Sequence, residues 1–444
     1  MRHYAFRRML TMWTRWMAIE TVLFRKQLVG FEGNRHDLKN SYSGERSVRM
    51  RSVELFVGAG GLAMGISNAG FRHVGLYEWD RYACDTIRFN KERNVGPVRD
   101  WPIYQLDVRS VDFTQYRGIE LLAGGPPCQP FSLGGKHRGR EDHRNMFPEM
   151  IRAVREIQPK VVLIENVKGL LRESFAKYFE YILLQICYPE IVPKENEDWT
   201  DHLSRLEQQH TKGRYHGLSY RVVFRLLNAA DYGVPQKRER VFIVGFRSDL
   251  NIEWSFPNPT HSFDALLYDQ WVTGEYWERH RVAKRHRPDI PDKLKKRIES
   301  LRMGLRLIQG APWVTVRDAI SGLPDPESEQ DCGVPNHRFN PGARVYPGHT
   351  GSPLDEPAKT LKAGDHGVPG GENMLVKPDG TVRYFTVRES ARLQTFPDEY
   401  VFSGSWTESM RQLGNAVPVR LAHFITKDIR TRLEWSVADA GKAV

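Results

Sequence analysis

Between residues 53 and about 250, short apolar runs alternate with longer amphipathic stretches, and this alternation limits the fold more than any other feature of the chain. The runs are VELF (53–56), VGLY (74–77), IELLAGG (119–125), VVLIEN (161–166), RVVFRLL (221–227) and RVFIVGF (240–246), each bounded by turn residues. Between the third and fourth, Phe147, Ile151, Val154 and Ile157 recur at helical spacing, and Pro159 sets the helix stop. Strands alternating with helices predict an α/β fold whose mostly parallel sheet is covered on both faces. Residues 171–210 are charged and helical in pattern and read as a surface insertion.

The rest of the chain divides around that block. Residues 1–49 carry ten Lys or Arg against four acidic groups and read as a basic extension, dispensable or upstream of a true start at Met50. From 256 to 385 periodicity fades while Gly, Pro, Trp and His rise, and RHRVAKRHRPDIPDKLKKRIESLR concentrates positive charge there. That stretch suits a solvated helix face or a phosphate-binding surface. Regular structure returns with TVRESARLQTFPDEY (386–400) and QLGNAVPVRLAHFITKDI (412–429).

The 444 residues carry 65 Lys or Arg against 54 Asp or Glu, a formal charge of +11 that favours a polyanionic partner. No apolar run reaches 18 residues, so a transmembrane helix is not expected. The four cysteines, Cys84, Cys128, Cys187 and Cys332, show no CxxC spacing, which disfavours a metal cluster. So few cysteines, with no secretory signal ahead of them, point to a reducing, cytoplasmic compartment. Cys84 and Cys187 fall in helix-like segments and are expected to be packing residues.

Three places carry chemistry. The first strand runs into Gly58-Ala59-Gly60-Gly61-Leu62-Ala63, a turn that brings backbone close to a ligand at a helix N-terminus. Glu78 ends the next strand, twenty residues after Gly58, where a carboxylate suits the ribose hydroxyls of a nucleotide-like cofactor. Gly58, Gly60 and Ala63 also meet a loose dinucleotide fingerprint, so NAD is a rival at this point. Asp107, after a further apolar run, fits either a hydrogen bond to an adenine amino group or a helix N-cap.

The second place is GGPPCQPFS (124–132), where prolines stiffen the backbone on both sides of Cys128. The third is the set of strand ends bearing Glu165 with Asn166, and Arg238 with Arg240. Ligands of an open parallel sheet bind beyond its carboxyl edge, so a thiol, a carboxyl and two guanidinium groups are expected at one rim. A thiolate adds to an electron-poor carbon, a protonated carboxyl donates to a ring nitrogen, and arginines orient a carbonyl or phosphate. With a methyl-sulfonium cofactor, that set suits methylation of a pyrimidine carbon.

In order along the chain, LFVGAGGLAMG (55–65), Glu78, GGPPCQPFS, ENV (165–167), QKRER (236–240), RESARLQTFPD (388–398) and GNAVP (414–418) resemble the motifs of the prokaryotic DNA (cytosine-5) methyltransferases. The NAD reading does not account for the PPCQ, ENV or GNAVP segments. The resemblance covers residues 53–430 and implies a Rossmann-like, S-adenosylmethionine-dependent catalytic domain over 50–255, resumed over 386–444. It implies a target recognition domain over 256–385.

By that similarity Cys128 attacks C6 of a flipped-out cytosine, Glu165 acts at N3, and Arg240 supports O2. Arg238 is expected to hold the thiol region or the DNA backbone. The implied cofactor pocket comprises Phe56, Gly58, Gly60, Gly61, Leu62, Glu78, Trp79, Asp107, Val108, Pro127, Asn415 and Val417. Gln129 and Ser132 extend a loop that closes over DNA, and Thr360, Lys362, Asp365 and His366 are the implied base or backbone contacts. The resemblance further implies double-stranded DNA as substrate, a monomer without metal, a solitary role or a cognate restriction endonuclease, and a place in the prokaryotic cytoplasm at the nucleoid. An RNA cytosine-5 methyltransferase of the same fold would carry a Cys-Phe-Thr segment, which is absent. A catalytically silent DNA-binding regulator would not need intact Cys128, Glu165 and Arg240.

Overall fold

The computed structural model describes residues 50–127, 145–328, 332–364 and 372–442. At its centre lies a seven-stranded sheet in the order β3-β2-β1-β4-β5-β7-β6. Its strands are β1 (Arg51–Leu55), β2 (Arg72–Glu78), β3 (Ile103–Gln105), β4 (Leu121–Gly124), β5 (Val161–Val167), β6 (Tyr220–Asn228) and β7 (Glu239–Arg247). Six of the seven match the runs named above; β3, only three residues long and mostly exposed, is the further run ahead of Asp107. The central strands are buried on both faces, so VVLI of β5 is apolar without alternation.

One strand departs from the parallel expectation. β7 runs antiparallel to both of its neighbours, β5 and β6. The reversal decides where its chemistry lies, because a parallel β7 would carry Arg240 to the opposite edge from Glu165. As it is, Arg240 at the start of β7 pairs in register with Val167 at the end of β5.

Helices α1 (Gly61–Asn68), α2 (Arg81–Glu92), α3 (Phe147–Ile157), α4 (Ala176–Cys187) and α5 (Trp199–Lys212) cover the sheet or flank it. α3 turns Phe147, Met150, Ile151, Val154 and Ile157 inward, each burial stabilising by about 1.5–3 kcal/mol. It ends with Gln158 in the left-handed region, immediately before Pro159. α4 is not part of an insertion. Its Phe179, Ile182 and Ile186 belong to the apolar cluster beneath the sheet, while α5 packs on its outer side through Leu203 and Leu206. Cys84 and Cys187 are packing thiols as expected, each pushed by burial up to about 12.

The chain returns to its beginning at the C-terminus. α7 (Val387–Leu393), α8 (Trp406–Asn415) and α9 (Val419–Lys442) follow the irregular region, in which α6 (Asp292–Arg302) is the longest helix. α9 packs against α1 rather than beside β1: a methyl group added at Gly65 would collide with Ala422, and Thr426 donates to the Gly65 carbonyl at 3.3 Å. Between 255 and 385 strands are short: β8 (His261–Ser262) pairs with β9 (Ala311–Pro312), and β10 (Ser352–Pro353), β11 (Met374–Val376) and β12 (Val382–Tyr384) form a small sheet.

Candidate active site at the carboxyl edge of the sheet

Strand register lines up the site. Leu55 lies opposite Tyr77 and Gly124, and Gly124 opposite Ile164. The next residue of each strand is therefore Phe56, Glu78, Gly125 and Glu165, one row across four strands at the carboxyl edge. The residues singled out from the sequence for cofactor and chemistry flank this row.

On the β1–β2 side, Phe56 and Gly58 both adopt positive φ, 59° and 56°, and Gly60 reaches 84° as the N-cap of α1. A side chain at Gly60 would also collide with the buried Trp101 ring. Gly61 has a different reason: any Cβ there would strike the Val417 carbonyl, so GNAVP closes directly on the glycine turn. Leu62, Val108 and Val417 are buried, whereas Asn415, the last residue of α8, is exposed. The Tyr400 hydroxyl donates to the Ala59 carbonyl at 2.7 Å and ties the returning chain to the same turn.

Glu78 organises the turn electrostatically. Its Oε2 accepts from the Gly58 N–H, and its Oε1 from those of Trp79 and Asp80, each at 2.8 Å. Burial raises its carboxyl above the ordinary range, and those three donors oppose the rise. The Trp79 ring beside it is 72% exposed, which is unusual for an indole. Asp107 takes the capping role: it accepts from the Arg109 N–H at 3.0 Å and pairs with the Arg109 guanidinium, which holds it below the usual carboxylate value.

On the β4–β5 side, Glu165 is 8% exposed, with Arg240 Nε 3.1 Å from its Oε1. Burial pushes the carboxyl up, and Arg240 and Arg238 pull it back. A Cβ on Gly125 would lie 3.2 Å from Glu165 Oε2, so the carboxyl rests on backbone three residues before Cys128. Asn166 Nδ2 donates to the Pro126 carbonyl at 3.0 Å, and the Pro127 carbonyl accepts from Met146 N at 3.2 Å. Thus ENV holds the entry to the PPC segment through its asparagine and faces it with its glutamate. Pro127 itself is exposed. Cys128, Gln129, Ser132, Asp365 and His366 lie outside the described residues, as do residues 1–49.

The alternation of an extended segment puts Gln236, Arg238 and Arg240 on one side of QKRER, but their partners differ. For Arg238 the DNA-backbone alternative is corrected, while the thiol loop lies outside the described residues. The Arg238 guanidinium is fully buried and donates to the carbonyls of Leu361 at 3.0 Å, Gly414 at 2.7 Å and Ala416 at 2.9 Å. No surface remains for DNA. Arg238 is a positioning residue that clips GNAVP and the 358–362 segment to the sheet.

Gln236, whose role the sequence did not disclose, accepts from the Leu361 N–H at 3.0 Å and donates to the Leu393 carbonyl. Thr360 is half-buried, and its hydroxyl donates to the Lys237 carbonyl at 2.8 Å, which fixes the segment. Lys362 is exposed, and its backbone is clamped on both sides by the buried Asn373 amide. Spacing two residues apart within QKRER was the available signal for the Gln236 role; nothing comparable marked Asn373.

Among the described residues, no group of three or more His, Cys, Asp or Glu could hold a metal ion, and no helix is long and apolar enough to cross a membrane.

Comparison with known proteins places these observations. The sequence model of C-5 cytosine-specific DNA methylases matches residues 50–187 and 199–431. The type II methyltransferase M.Eco47II of Escherichia coli is 34% identical over 415 residues, 91% of this chain and 85% of that protein. M.HhaI of Haemophilus parahaemolyticus is 30% identical over 395 residues, 87% of this chain and 96% of its own length. Among solved structures, an Escherichia coli prophage-encoded DNA modification methyltransferase aligns over 87% of this chain with a TM-score of 0.52 at 22% identity. Schizosaccharomyces pombe Dnmt2 aligns over 87% with a TM-score of 0.50 at 17% identity. At such identities these last two speak for the fold.

Proposed function

Because the chain belongs to the family of C-5 cytosine-specific DNA methylases and so methylates cytosine in DNA from S-adenosylmethionine, we propose that its carboxyl-edge row is the active site, with Cys128 as nucleophile and Glu165 as acid. The observation that carries this reading is the buried Glu165–Arg240 pair resting on Gly125, three residues before Cys128.

The residues at the β1–β2 side fit the cofactor. Glu78 has one acceptor site left, on Oε2, for a ribose hydroxyl after accepting three N–H groups. A Cβ at Gly58 would meet nothing within 4 Å, so space lies beside the turn, and the exposed Trp79 ring offers a stacking face. Phe56, Gly60, Gly61, Leu62, Asp107, Val108, Pro127, Asn415 and Val417 complete the assignment. When bound, S-adenosylmethionine supplies a methyl group on an electrophilic sulfonium, which C5 of the base accepts.

The chain's own groups do the rest. The Cys128 thiolate adds to C6 while Glu165, whose carboxyl burial pushes up against the pull of Arg240 and Arg238, protonates or hydrogen-bonds N3, so that electron density collects at C5. Arg240 fixes the carboxyl and directs its remaining donors to the base O2. Release of the C5 proton to solvent, withdrawal of Glu165's proton or hydrogen bond from N3 and expulsion of the thiolate restore the ring and return the enzyme unchanged. The base must leave the stack for C6 to be reached. Residues 256–385 form the target recognition domain, with Lys362, Asp365 and His366 as contacts and Gln129 and Ser132 on the closing loop. By analogy with its type II relatives, the enzyme works beside a cognate endonuclease or alone.

Incubating the protein with labelled S-adenosylmethionine and mixed-sequence duplex DNA, then mapping modified bases, tests this reading. The expected product is 5-methylcytosine within one sequence context. Label at cytosine N4, or on RNA but not DNA, overturns it.

A further inference from the structure

The sheet is not where the chain's positive charge resides. Residues 279–306 hold eleven Lys or Arg against three acidic groups, a balance of +8. Residues 1–49 add ten against four, which leaves 44 basic and 47 acidic residues for everything else. Four of those acids, Asp264, Asp269, Glu275 and Glu278, lie just ahead of residue 279; without them the body that carries the candidate active site has 44 basic and 43 acidic residues, near neutral and with no general attraction for a duplex.

Residues 261–312 form a lobe with its own order. The β8–β9 pair closes it at the base, and Leu267, Ile298 and Leu301 build a core separate from the sheet's. Cations facing the lobe's own carboxylates are paired: Arg297 and Arg306 share Asp264, and Arg279 pairs with Asp269. On the outer side they are not. Lys284, Lys293 and Lys296 are exposed and stand in no ion pair among the described residues. Lys293 and Lys296 are three residues apart on α6, on the face away from Ile298 and Leu301. A solvated face explains exposure, but not eleven Lys or Arg within residues 279–306.

The lobe's attachment gives it a direction. Gln270 Nε2 donates to the Asp355 carbonyl at 2.7 Å, and the Tyr276 hydroxyl donates to Asp355 Oδ1 at 2.8 Å. Asp355 lies three residues before the 358–362 segment that Gln236 and Arg238 bolt to the sheet. The lobe is therefore anchored next to the 358–362 segment, so that a duplex engaged by that segment would have the lobe beside it. We propose that the outer face of this lobe is a sequence-independent grip on duplex DNA, taking backbone phosphates outside the recognition site through Lys284, Lys293 and Lys296. The proposal rests on the reading of duplex DNA as substrate.

The test uses the full chain carrying Lys284→Gln, Lys293→Gln and Lys296→Gln together, beside wild type, with a labelled 60-base-pair mixed-sequence duplex. Loss of three phosphate contacts should lower the slope of log affinity against log salt by about 2 to 3 units and weaken binding at 0.1 M NaCl at least about tenfold. In methyl transfer to the same duplex, KM should rise by a similar factor while kcat at saturating DNA and Tm stay unchanged. An unchanged salt slope and KM overturn the proposal, as does a loss seen with transfer RNA but not with the duplex. If wild type methylates no DNA the substrate reading fails, yet the salt slope still decides whether this face holds duplex phosphates.

Discussion

In the seven-stranded sheet the backbone satisfies itself strand against strand, whereas between 255 and 400 strands run to only two or three residues and many carbonyls need other partners. Buried arginines and amides supply them. Arg388, fully buried, donates to the carbonyls of Pro335, Pro397 and Tyr400, as Arg238 does to those of Leu361, Gly414 and Ala416. Arg383 grips Glu389 with both Nη groups, and Glu389 completes the capping box of α7. The guanidinium fork gathers several carbonyls that an irregular chain leaves unpaired. The difference teaches where each kind of function sits. Topology sets the chemistry, since four strand ends fall in one row. Side-chain clips hold the irregular region in place.

If that division is right, substitutions at the rim should change rate without changing fold, and substitutions at the clips should do the reverse. The largest effect belongs to Cys128→Ala, which should lower methyl transfer by at least about 10⁴-fold while calorimetric cofactor affinity stays within about twofold of wild type. Glu165→Gln comes next, with kcat down about 10²- to 10⁴-fold and an almost unchanged Tm, because the amide still accepts from Arg240.

Arg238→Met should show the opposite pattern. Three carbonyls lose a charged donor inside the protein, and denaturant unfolding should register a loss of about 3 kcal/mol or more. Weaker cofactor binding should accompany it, since GNAVP is no longer held against Gly61.

The smallest effect concerns Glu54 of β1, buried under the glycine turn with its Oε2 unpartnered among the described residues. Burial, with Glu78 nearby, raises its carboxyl well above the ordinary value. The folded state therefore keeps a proton that the unfolded chain releases. That contribution is complete below the unfolded pKa and fades as pH rises through the folded one. Glu54→Gln cannot ionise, so its Tm relative to wild type should climb between pH 5 and pH 8, by about 2 °C or more. A difference that stays flat or falls with pH would contradict the assignment.

Legibility followed the same division. The named apolar runs disclosed six strands, and the end of each run disclosed Glu78, Gly125 and Glu165, because in a covered sheet chain direction alone decides which residues reach the rim. The reversal of β7 was not legible: a run such as RVFIVGF reads the same in either direction. Nor was Arg238 separable from Arg240, since two arginines in one motif differ only in what the distant 361 and 414–416 segments bring to them. Asn373 and Arg388 escaped for the same reason, their partners being backbone carbonyls of residues far off or irregular in fold.

The central claim is that the thiol at position 128 forms a covalent bond to cytosine while Glu165 and Arg240 stabilise the ring. Duplex DNA in which every cytosine carries fluorine at C5 tests it directly, because the step that expels the C5 proton is then blocked. After incubation with S-adenosylmethionine, proteolysis and mass spectrometry should find the peptide containing Cys128 bonded to methylated fluorocytosine, and none in the Cys128→Ala variant. A DNA adduct on another residue, or active enzyme that forms no adduct, would contradict the account.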